Sequence, residues 1–218
     1  MKKSVVAVAL LSALSAPVFA ETNSNQDTPW VFRGTLAYVQ PNDDSGAVLG
    51  NDGVSVDAGL GLGLSFTYMF DQNWGLEILA ASPFTHELKG TGALSGLDIG
   101  ETKQLPPTVS VTYHWGQSTS YHVGAGLNYT KFFEEESTAA LTTALGAQST
   151  GLELDASTGL SIQFGFDTPI NKDWNLSGTV YYKDIDTEAD VIVNGAVAAT
   201  VDVQIDPIVW TLGVSTRF

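Results

Sequence analysis

The sequence predicts an all-β protein: an eight-stranded antiparallel up-and-down transmembrane β-barrel with four long external loops and three short periplasmic turns. Three observations predict this fold. Apolar and polar residues alternate over eight segments, and the connections between these segments are alternately short and long. Aromatic residues lie at the ends of the segments that the short connections join. A strict period of two indicates strands whose two faces meet different surroundings.

The alternation holds from one segment to the next along the chain. The segments are 30–40, 58–70, 74–81, 105–115, 121–133, 156–166, 174–182 and a last run to Phe218. In the first three, one face consists of apolar residues two apart: Trp30, Phe32, Leu36 and Tyr38; then Leu62, Leu64, Phe66, Tyr68 and Phe70; then Trp74, Leu76, Ile78 and Ala80. The fourth, fifth and last segments repeat this with Val109, Val111, Tyr113 and Trp115; with Tyr121, Val123, Ala125, Leu127 and Tyr129; and with Ile208, Trp210, Leu212 and Val214.

The connections alternate in length. Residues 70–74, 115–121 and 169–174 are short turns built from Asp, Asn, Gln, Gly, Ser and Lys, which suit tight turns. The other four connections, near 41–57, 84–102, 134–152 and 185–200, are long and rich in Gly, Ala, Thr and acidic residues. Short turns at one end and long loops at the other are typical of outer-membrane barrels.

The aromatic residues indicate what the apolar faces contact. Those at the short-turn ends are Trp30, Phe70, Trp74, Trp115, Tyr121, Trp174 and Phe218. A girdle of rings at one level is typical of a membrane–water interface. We therefore expect the apolar face of each strand to contact lipid. The terminal Phe218 on a strand of this pattern favours recognition by the barrel-assembly machinery.

The first 20 residues have the features of a secretory signal peptide. Lys2 and Lys3 precede a short apolar run, and Val18 and Ala20 stand before Glu21 as small residues do at a cleavage site. We expect residues 1–20 to be removed and 21–218 to form the barrel. Without these two lysines, seven basic residues stand against 24 acidic ones, a net charge of −17.

This charge and the absence of cysteine exclude several classes of protein. Nucleic-acid binding needs clustered Lys and Arg, so no nucleic-acid partner is expected. No cysteine is present, so disulfides and thiolate chemistry are excluded. His86, His114 and His122 lack the spacing of a zinc site, and no phosphate-binding glycine loop or hydrolase elbow occurs. We predict no cofactor, no metal and no enzyme activity, with outer-membrane lipid and lipopolysaccharide as surroundings.

The inward faces differ between the two halves of the predicted lumen. Near the short-turn end, Arg33, Glu77, Asp167 and Arg217 point inward, so they could pair and form a polar plug. The inward positions of the outer half are instead mostly apolar: Ala37, Val39, Leu79, Ala81, Pro106, Phe132 and Tyr181. Such a lining differs from the polar interior of a porin. It fits either side chains that fill a narrow barrel or a route for an apolar molecule.

Three prolines favour the second interpretation. Pro83 ends the third strand, and Pro106 and Pro107 lie in the fourth strand beside it. Proline donates no ladder hydrogen bond, so pairing should be interrupted at this seam. Within a membrane, such a break is tolerated where it lines a cavity. The prolines therefore predict a lateral opening between lumen and bilayer, although they could also simply end the strands.

At the level of whole motifs, the chain resembles the OmpW family of outer-membrane proteins from Trp30 to Phe218. The motifs are "LGLSFTYMF", "GLEILAASPFTHEL", "KQLPPT", "GAGLNYTKFF", "NKDWNLSGTVYYKDIDTEA" and "IDPIVWTLGVSTRF". The resemblance implies a barrel with an apolar lumen that passes small hydrophobic molecules across the outer membrane, with lateral exit. It also places a constriction at Leu79 and Tyr181; family members commonly have Trp at the second position.

The sequence thus predicts a porin-like transport protein for small hydrophobic molecules. Its passage would comprise Leu79, Tyr181, Ala81, Phe132, Pro83, Pro106 and Pro107. One alternative is a structural barrel or adhesin that acts through its external loops without transport. A second is a lipid-modifying enzyme, for which Ser82, His86 and Glu87 would have to converge.

Overall fold

The structure is a computed structural model that describes residues 28–42, 54–91 and 95–218. The predicted signal peptide lies outside these ranges. The elements are β1 (Trp30–Gln40), β2 (Val54–Val56), β3 (Gly59–Met69), β4 (Trp74–Ala81), β5 (Phe84–Gly90), β6 (Asp98–Leu105), β7 (Thr108–Trp115), β8 (Ser120–Ser137), α1 (Ala139–Ala144), β9 (Thr150–Leu154), β10 (Ser157–Pro169), β11 (Asn175–Lys183), β12 (Asp186–Val193), β13 (Ala196–Gln204) and β14 (Ile208–Arg217). Among the described residues, no helix is both long and apolar enough to cross a membrane.

Eight of these strands close into one antiparallel barrel, which confirms the predicted fold class. The order around the barrel is β1, β3, β4, β7, β8, β10, β11 and β14, and β14 pairs with β1 to complete the ring. At this seam the backbone N–H of Trp30 donates to the carbonyl of Phe218 at 3.2 Å, and the reverse bond measures 3.1 Å. Closure pairs the first strand of the ring with the last, so that neither is left as a sheet edge in hydrocarbon.

The two faces of the barrel strands follow the predicted alternation. On β3, Leu62 and Phe66 expose 56% and 43% of their surface, whereas Ser65 and Thr67, on the other face, are buried. The girdle residues are likewise exposed on the outside: Trp30, Phe70, Trp74, Trp115, Tyr121, Trp174 and Phe218. Apolar exposure on this scale suits a surface covered by lipid.

Side-chain hydrogen bonds shape the short turns. Asp71 accepts from the backbone N–H groups of Asn73 and Trp74, both at 2.7 Å. Asn171 does the same for Asp173 and Trp174 at 2.9 and 3.0 Å. Asp and Asn favour such turns because their short side chains can satisfy the backbone two or three residues ahead.

A close backbone approach at the β1–β14 seam predicts an asymmetric effect of alanine. A β-carbon on Gly213 would lie 2.1 Å from the carbonyl oxygen of Gly34, whereas one on Gly34 would meet nothing nearer than 3.6 Å. We expect Gly213→Ala to lower the free energy of unfolding by about 1–3 kcal/mol, as overpacking does, and Gly34→Ala to lower it far less. Urea unfolding in lipid vesicles, followed by tryptophan fluorescence, measures both. Equal losses would contradict this seam geometry.

The long external connections, which the sequence predicts to be loops, contain regular secondary structure. β5 and β6 form a hairpin above β4 and β7, and β6 also pairs with the upper part of β8. β9, β12 and β13 form a separate three-stranded sheet. Thr138 caps α1 by accepting from the N–H of Leu141 at 3.1 Å. The predicted loop near 41–57 lies largely outside the described residues.

Two apolar clusters hold this external part together. One joins strands and helix through Val56, Leu88, Ile99, Leu141 and Leu152. The other consists of Phe132, Ile185, Val201, Val203 and Ile205. Burial of these side chains gives the external region its own core, which strands that project from a membrane into water require.

Candidate functional site

The lower lumen is filled by an arginine held between two carboxylates. Arg33 Nη1 lies 3.1 Å from Glu77 Oε2, and its Nη2 lies 2.8 Å from Asp167 Oδ2. Nε also donates to Asp167 Oδ1 at 3.2 Å, so this pair is bidentate. All three side chains are buried, and the sequence prediction that they point inward at one level agrees with this placement.

Polar neighbours complete the hydrogen bonds of these carboxylates. Glu77 accepts from Gln163 Nε2 at 2.9 Å and from Thr67 Oγ1 at 3.1 Å. Asp167 accepts from Ser215 Oγ at 2.7 Å. A buried ion pair is tolerated when its remaining lone pairs are satisfied in this way. The network therefore occupies the lower lumen with polar side chains that hold one another in place.

Arg217, which the sequence groups with this network, lies outside it. It is exposed at the end of β14 and has no carboxylate within 4 Å among the described residues. Arg217 has the same inward-facing parity as Ser215, but it lies two residues farther along β14, toward the short-turn end of the barrel. His122 lies closer, with Nδ1 3.8 Å from Asp167 Oδ2, and its ring stacks on His114 at a centroid distance of 5.3 Å.

Above the network, the lumen becomes apolar. One buried cluster contains both residues of the implied constriction, Leu79 and Tyr181, together with Ala37, Val39, Phe84 and Val209. Ala81 packs against the same cluster. The side chains come from β1, β4, β5, β11 and β14, so the cluster spans the lumen from wall to wall.

A narrow cavity lies within this apolar part. About 20 Å³ of it is open to the centre of a water molecule. Its lining is Ala37, Val39, Gly63, Leu79, Ala81, Phe84, Gln104, Pro106, Lys183, Ile185, Pro207, Val209 and Thr211. The open volume is close to the minimum for one water. A larger molecule would have to displace side chains.

The barrel wall is interrupted beside this cavity, at the prolines. The β4–β7 ladder ends at the pair Leu79–Thr108, and the β5–β6 ladder begins at Phe84–Gln104. The backbone N–H of Ser82 donates instead to the carbonyl of Leu62 at 2.7 Å, and the carbonyl of Pro107 accepts from the backbone N–H of Tyr129 at 3.0 Å. Residues 80–83 and 105–107 therefore face each other without a ladder pair. Pro83 is exposed at this break, whereas Pro106 is buried.

Phe132 lies above the cavity, in the external cluster with Ile185 and Val201. The reason is that β8 continues beyond the barrel, and Phe132 lies two residues past the buried Thr130 on the same face. Phe84, Gln104 and Lys183 also line the lumen, and the sequence-based prediction did not include them. Lys183 shares the inward parity of Tyr181, a signal that could have identified it.

The three residues that a lipid-modifying enzyme would need are engaged elsewhere. His86 Nδ1 contacts the carbonyl of Asp57 at 2.7 Å, and its Nε2 contacts Gln104 Nε2 at 2.7 Å. Ser82 Oγ accepts from the N–H of Leu62 at 2.9 Å. Glu87 lies on the opposite, exposed face of β5 and pairs with Lys89 at 3.2 Å.

Three acidic side chains cluster just beyond the external end of β11 and just before β14. Asp184, Asp186 and Asp206 place one carboxylate oxygen each within 4.8 Å of one another, next to the cavity-lining Ile185 and Pro207. Asp206 Oδ1 accepts from the N–H of Ile185 at 3.0 Å. On the rim, hydrogen bonds to Asp57 and to Glu134 raise the pKa of Lys89 and of Lys103, respectively.

Comparison with known proteins agrees with this architecture. The sequence profile of the OmpW family matches residues 26–218. Outer membrane protein W of Vibrio cholerae serotype O1 is 41% identical over 225 residues, with all of both chains covered. The crystal structure of the outer membrane protein OprG from Pseudomonas aeruginosa gives a TM-score of 0.78 at 35% identity and covers 87% of this chain and 95% of that one.

A more distant relative carries a metabolic name. The "Dibenzothiophene metabolism operon protein PahQ" of Pseudomonas aeruginosa is 24% identical over 225 residues, again with all of both chains covered. The profile match, the full-length relatives and the closed barrel agree with one another. This chain belongs to the OmpW family of outer-membrane β-barrel proteins.

Proposed function

We propose that this barrel passes small hydrophobic molecules from outside into the outer membrane, through its apolar upper lumen and a lateral opening at the proline break. One observation carries the proposal: Ala81 and Pro106, which lie in the break, and Phe84 and Gln104, the ladder pair that borders it, all line the cavity. A molecule in the cavity would therefore already lie against the weakest part of the wall. The name of the dibenzothiophene relative supports an apolar cargo.

The filled lower lumen supports a sideways rather than a straight path. An apolar molecule that moved toward the periplasm would have to separate Arg33 from Glu77 and Asp167, and breaking a buried ion pair is costly. Movement into the bilayer is instead favourable by about 0.8 kcal/mol for each CH₂ group buried in lipid. No energy source is needed. The proposed barrel is a passive conduit and not an enzyme.

A dye-uptake experiment tests the proposal through the prolines. Cells that lack their own family member would receive this barrel, the variant Pro83→Thr/Pro106→Thr/Pro107→Thr, or no barrel. The dye 1-N-phenylnaphthylamine is uncharged and fluoresces once it reaches hydrocarbon. Restored ladder bonds contribute about 1 kcal/mol each, so two of them should slow barrel-dependent uptake roughly thirtyfold.

Pro169→Thr is the matched control, because Pro169 lies exposed at the lower end of β10, away from the cavity. Folded amounts are equalised by the heat-dependent shift in gel migration. Uptake that is the same with and without the barrel would refute transport of this cargo. The leading explanation would then be a structural barrel or adhesin, a role that the separately packed external region supports.

The barrel's other predicted partners follow from its surface. We propose that the exposed apolar belt contacts membrane lipid and lipopolysaccharide. We also propose that the barrel-assembly machinery recognises the last strand, which ends in Phe218. The exposed ring of Phe218 and its backbone bonds to Trp30 support the second proposal.

A further inference from the structure

A buried lysine stands in the otherwise apolar cavity. Lys183 ends β11 and is only 2% exposed. Its Nζ donates to Thr108 Oγ1 at 2.6 Å and to the carbonyl of Pro106 at 3.3 Å, and it lies 5.9 Å from the ring centroid of Tyr181. An ammonium group has three donors, so one is left unused by these two bonds.

In the described part of the chain, no carboxylate pairs directly with this cation, and Glu77 acts on it only from a greater distance. Within 4 Å of Nζ, the described residues offer no carboxylate, whereas Arg33 lower in the lumen has two. Burial of a charge is costly unless an opposite charge compensates it. The contrast between the two cations suggests that the counter-charge of Lys183 comes from a molecule in the cavity.

A second polar group marks the same part of the cavity. Gln104 lines it, is buried, and has no hydrogen-bond partner for Oε1. Its Nε2 is held by His86, whose other ring nitrogen contacts the carbonyl of Asp57. The rest of the lining is almost wholly apolar. The cavity thus has one polar end, at the break, and an apolar body.

We propose that Lys183 binds the carboxylate of a small amphipathic acid, whose apolar tail lies among Ala37, Val39 and Leu79. The inference rests on the proposed function and names its substrate class. The unused donor, and the donor now on the carbonyl of Pro106 at 3.3 Å, are the two that a carboxylate would take. Since Pro106 borders the break, the bound headgroup is held where the wall is interrupted.

Charge and size favour a monocarboxylate over other anions. Phosphate is typically held by several donors or by an arginine fork, and this site has a single ammonium. The carboxylates of Asp184, Asp186 and Asp206, which flank the cavity-lining Ile185 and Pro207 in the chain, would repel a dianion more strongly than a monoanion. Because side chains must move to admit any molecule larger than water, a single slender tail is favoured over a bulky one.

Paired uptake measurements test the proposal. Initial rates of labelled octanoate and of labelled 1-octanol, its neutral counterpart, would be measured in cells with the wild-type barrel, with Lys183→Met, with Lys183→Arg and with no barrel. Loss of a charge-assisted hydrogen bond should reduce the barrel-dependent octanoate-to-octanol ratio about tenfold in Lys183→Met. Lys183→Arg should keep most of it. Lys172→Met, in an exposed turn, serves as control.

The outcomes separate this inference from the proposed function. An unchanged ratio in Lys183→Met, or equal loss of both solutes, overturns the inference while barrel-dependent octanol uptake upholds the function. If octanol enters equally fast with and without the barrel, the proposed function is overturned. If only octanoate uptake requires the barrel and Lys183, the inference is upheld. Should Lys183→Met not fold, competition on the wild type decides: unlabelled octanoate, but not octanol at equal concentration, must suppress labelled octanoate uptake.

Discussion

Leu79→Arg is expected to reduce barrel-dependent uptake of an apolar tracer to the level of cells without the barrel. Leu79 belongs to the buried apolar cluster and lines the cavity. Only about 20 Å³ of that cavity is open to the centre of a water molecule, so the longer arginine would fill it. Its charge would also make the passage unfavourable for an apolar solute.

The control for this prediction is Leu79→Met, which conserves volume and apolar character and should leave uptake nearly unchanged. Rates of 1-N-phenylnaphthylamine uptake are compared at equal amounts of folded barrel. Full uptake through a folded Leu79→Arg barrel would mean that the route does not pass the upper lumen.

Arg33→Gln is expected to be the most destabilising single change in the lower lumen. Glu77 and Asp167 would remain buried without their common cation. Removal of one partner from a buried ion pair costs about 3–5 kcal/mol, because an uncompensated charge is left behind. The free energy of unfolding in lipid vesicles, from urea titration of tryptophan fluorescence, measures the loss.

Arg217→Gln makes the same chemical change at an exposed site of the same lumen face, and it should alter stability by no more than about 0.5 kcal/mol. Similar losses for the two variants would contradict the assignment of the ion-pair network to Arg33. A triple variant with Glu77→Gln and Asp167→Asn should recover part of the Arg33→Gln loss, since no buried charge then lacks a partner.

The barrel was predictable because lipid and lumen impose opposite demands on successive residues. Each strand that spans the membrane shows the period of two, as in Leu62, Leu64 and Phe66. The external strands carry the same signal in shorter form: Val201, Val203 and Ile205 alternate with polar residues and are buried. Outside the membrane the exposed face of a strand contacts water and is therefore polar. The external strands are consequently rich in Gly, Ala, Thr and acidic residues, a composition that also predicts loops.

The alternation in the sequence predicts which side chains point into the lumen, but not how far along the barrel axis each one lies. Arg33, Glu77 and Asp167 meet because their strands have a particular register, which local sequence does not encode. The same limit explains the separate positions of Arg217 and Phe132. Lys183 was missed for a related reason, since its partner Pro106 is 77 residues away in the sequence.

The pairing of Trp30 with Phe218 has a consequence for how the chain folds. The ring closes only when its first strand meets its last, and almost the whole chain lies between them. Contacts this distant in sequence carry a large loop-closure entropy and are associated with slow folding. Until they form, both strands present open edges that can pair with other chains. Closure is therefore expected to be the late, rate-limiting step of folding, and the interval before it the period of greatest risk of aggregation.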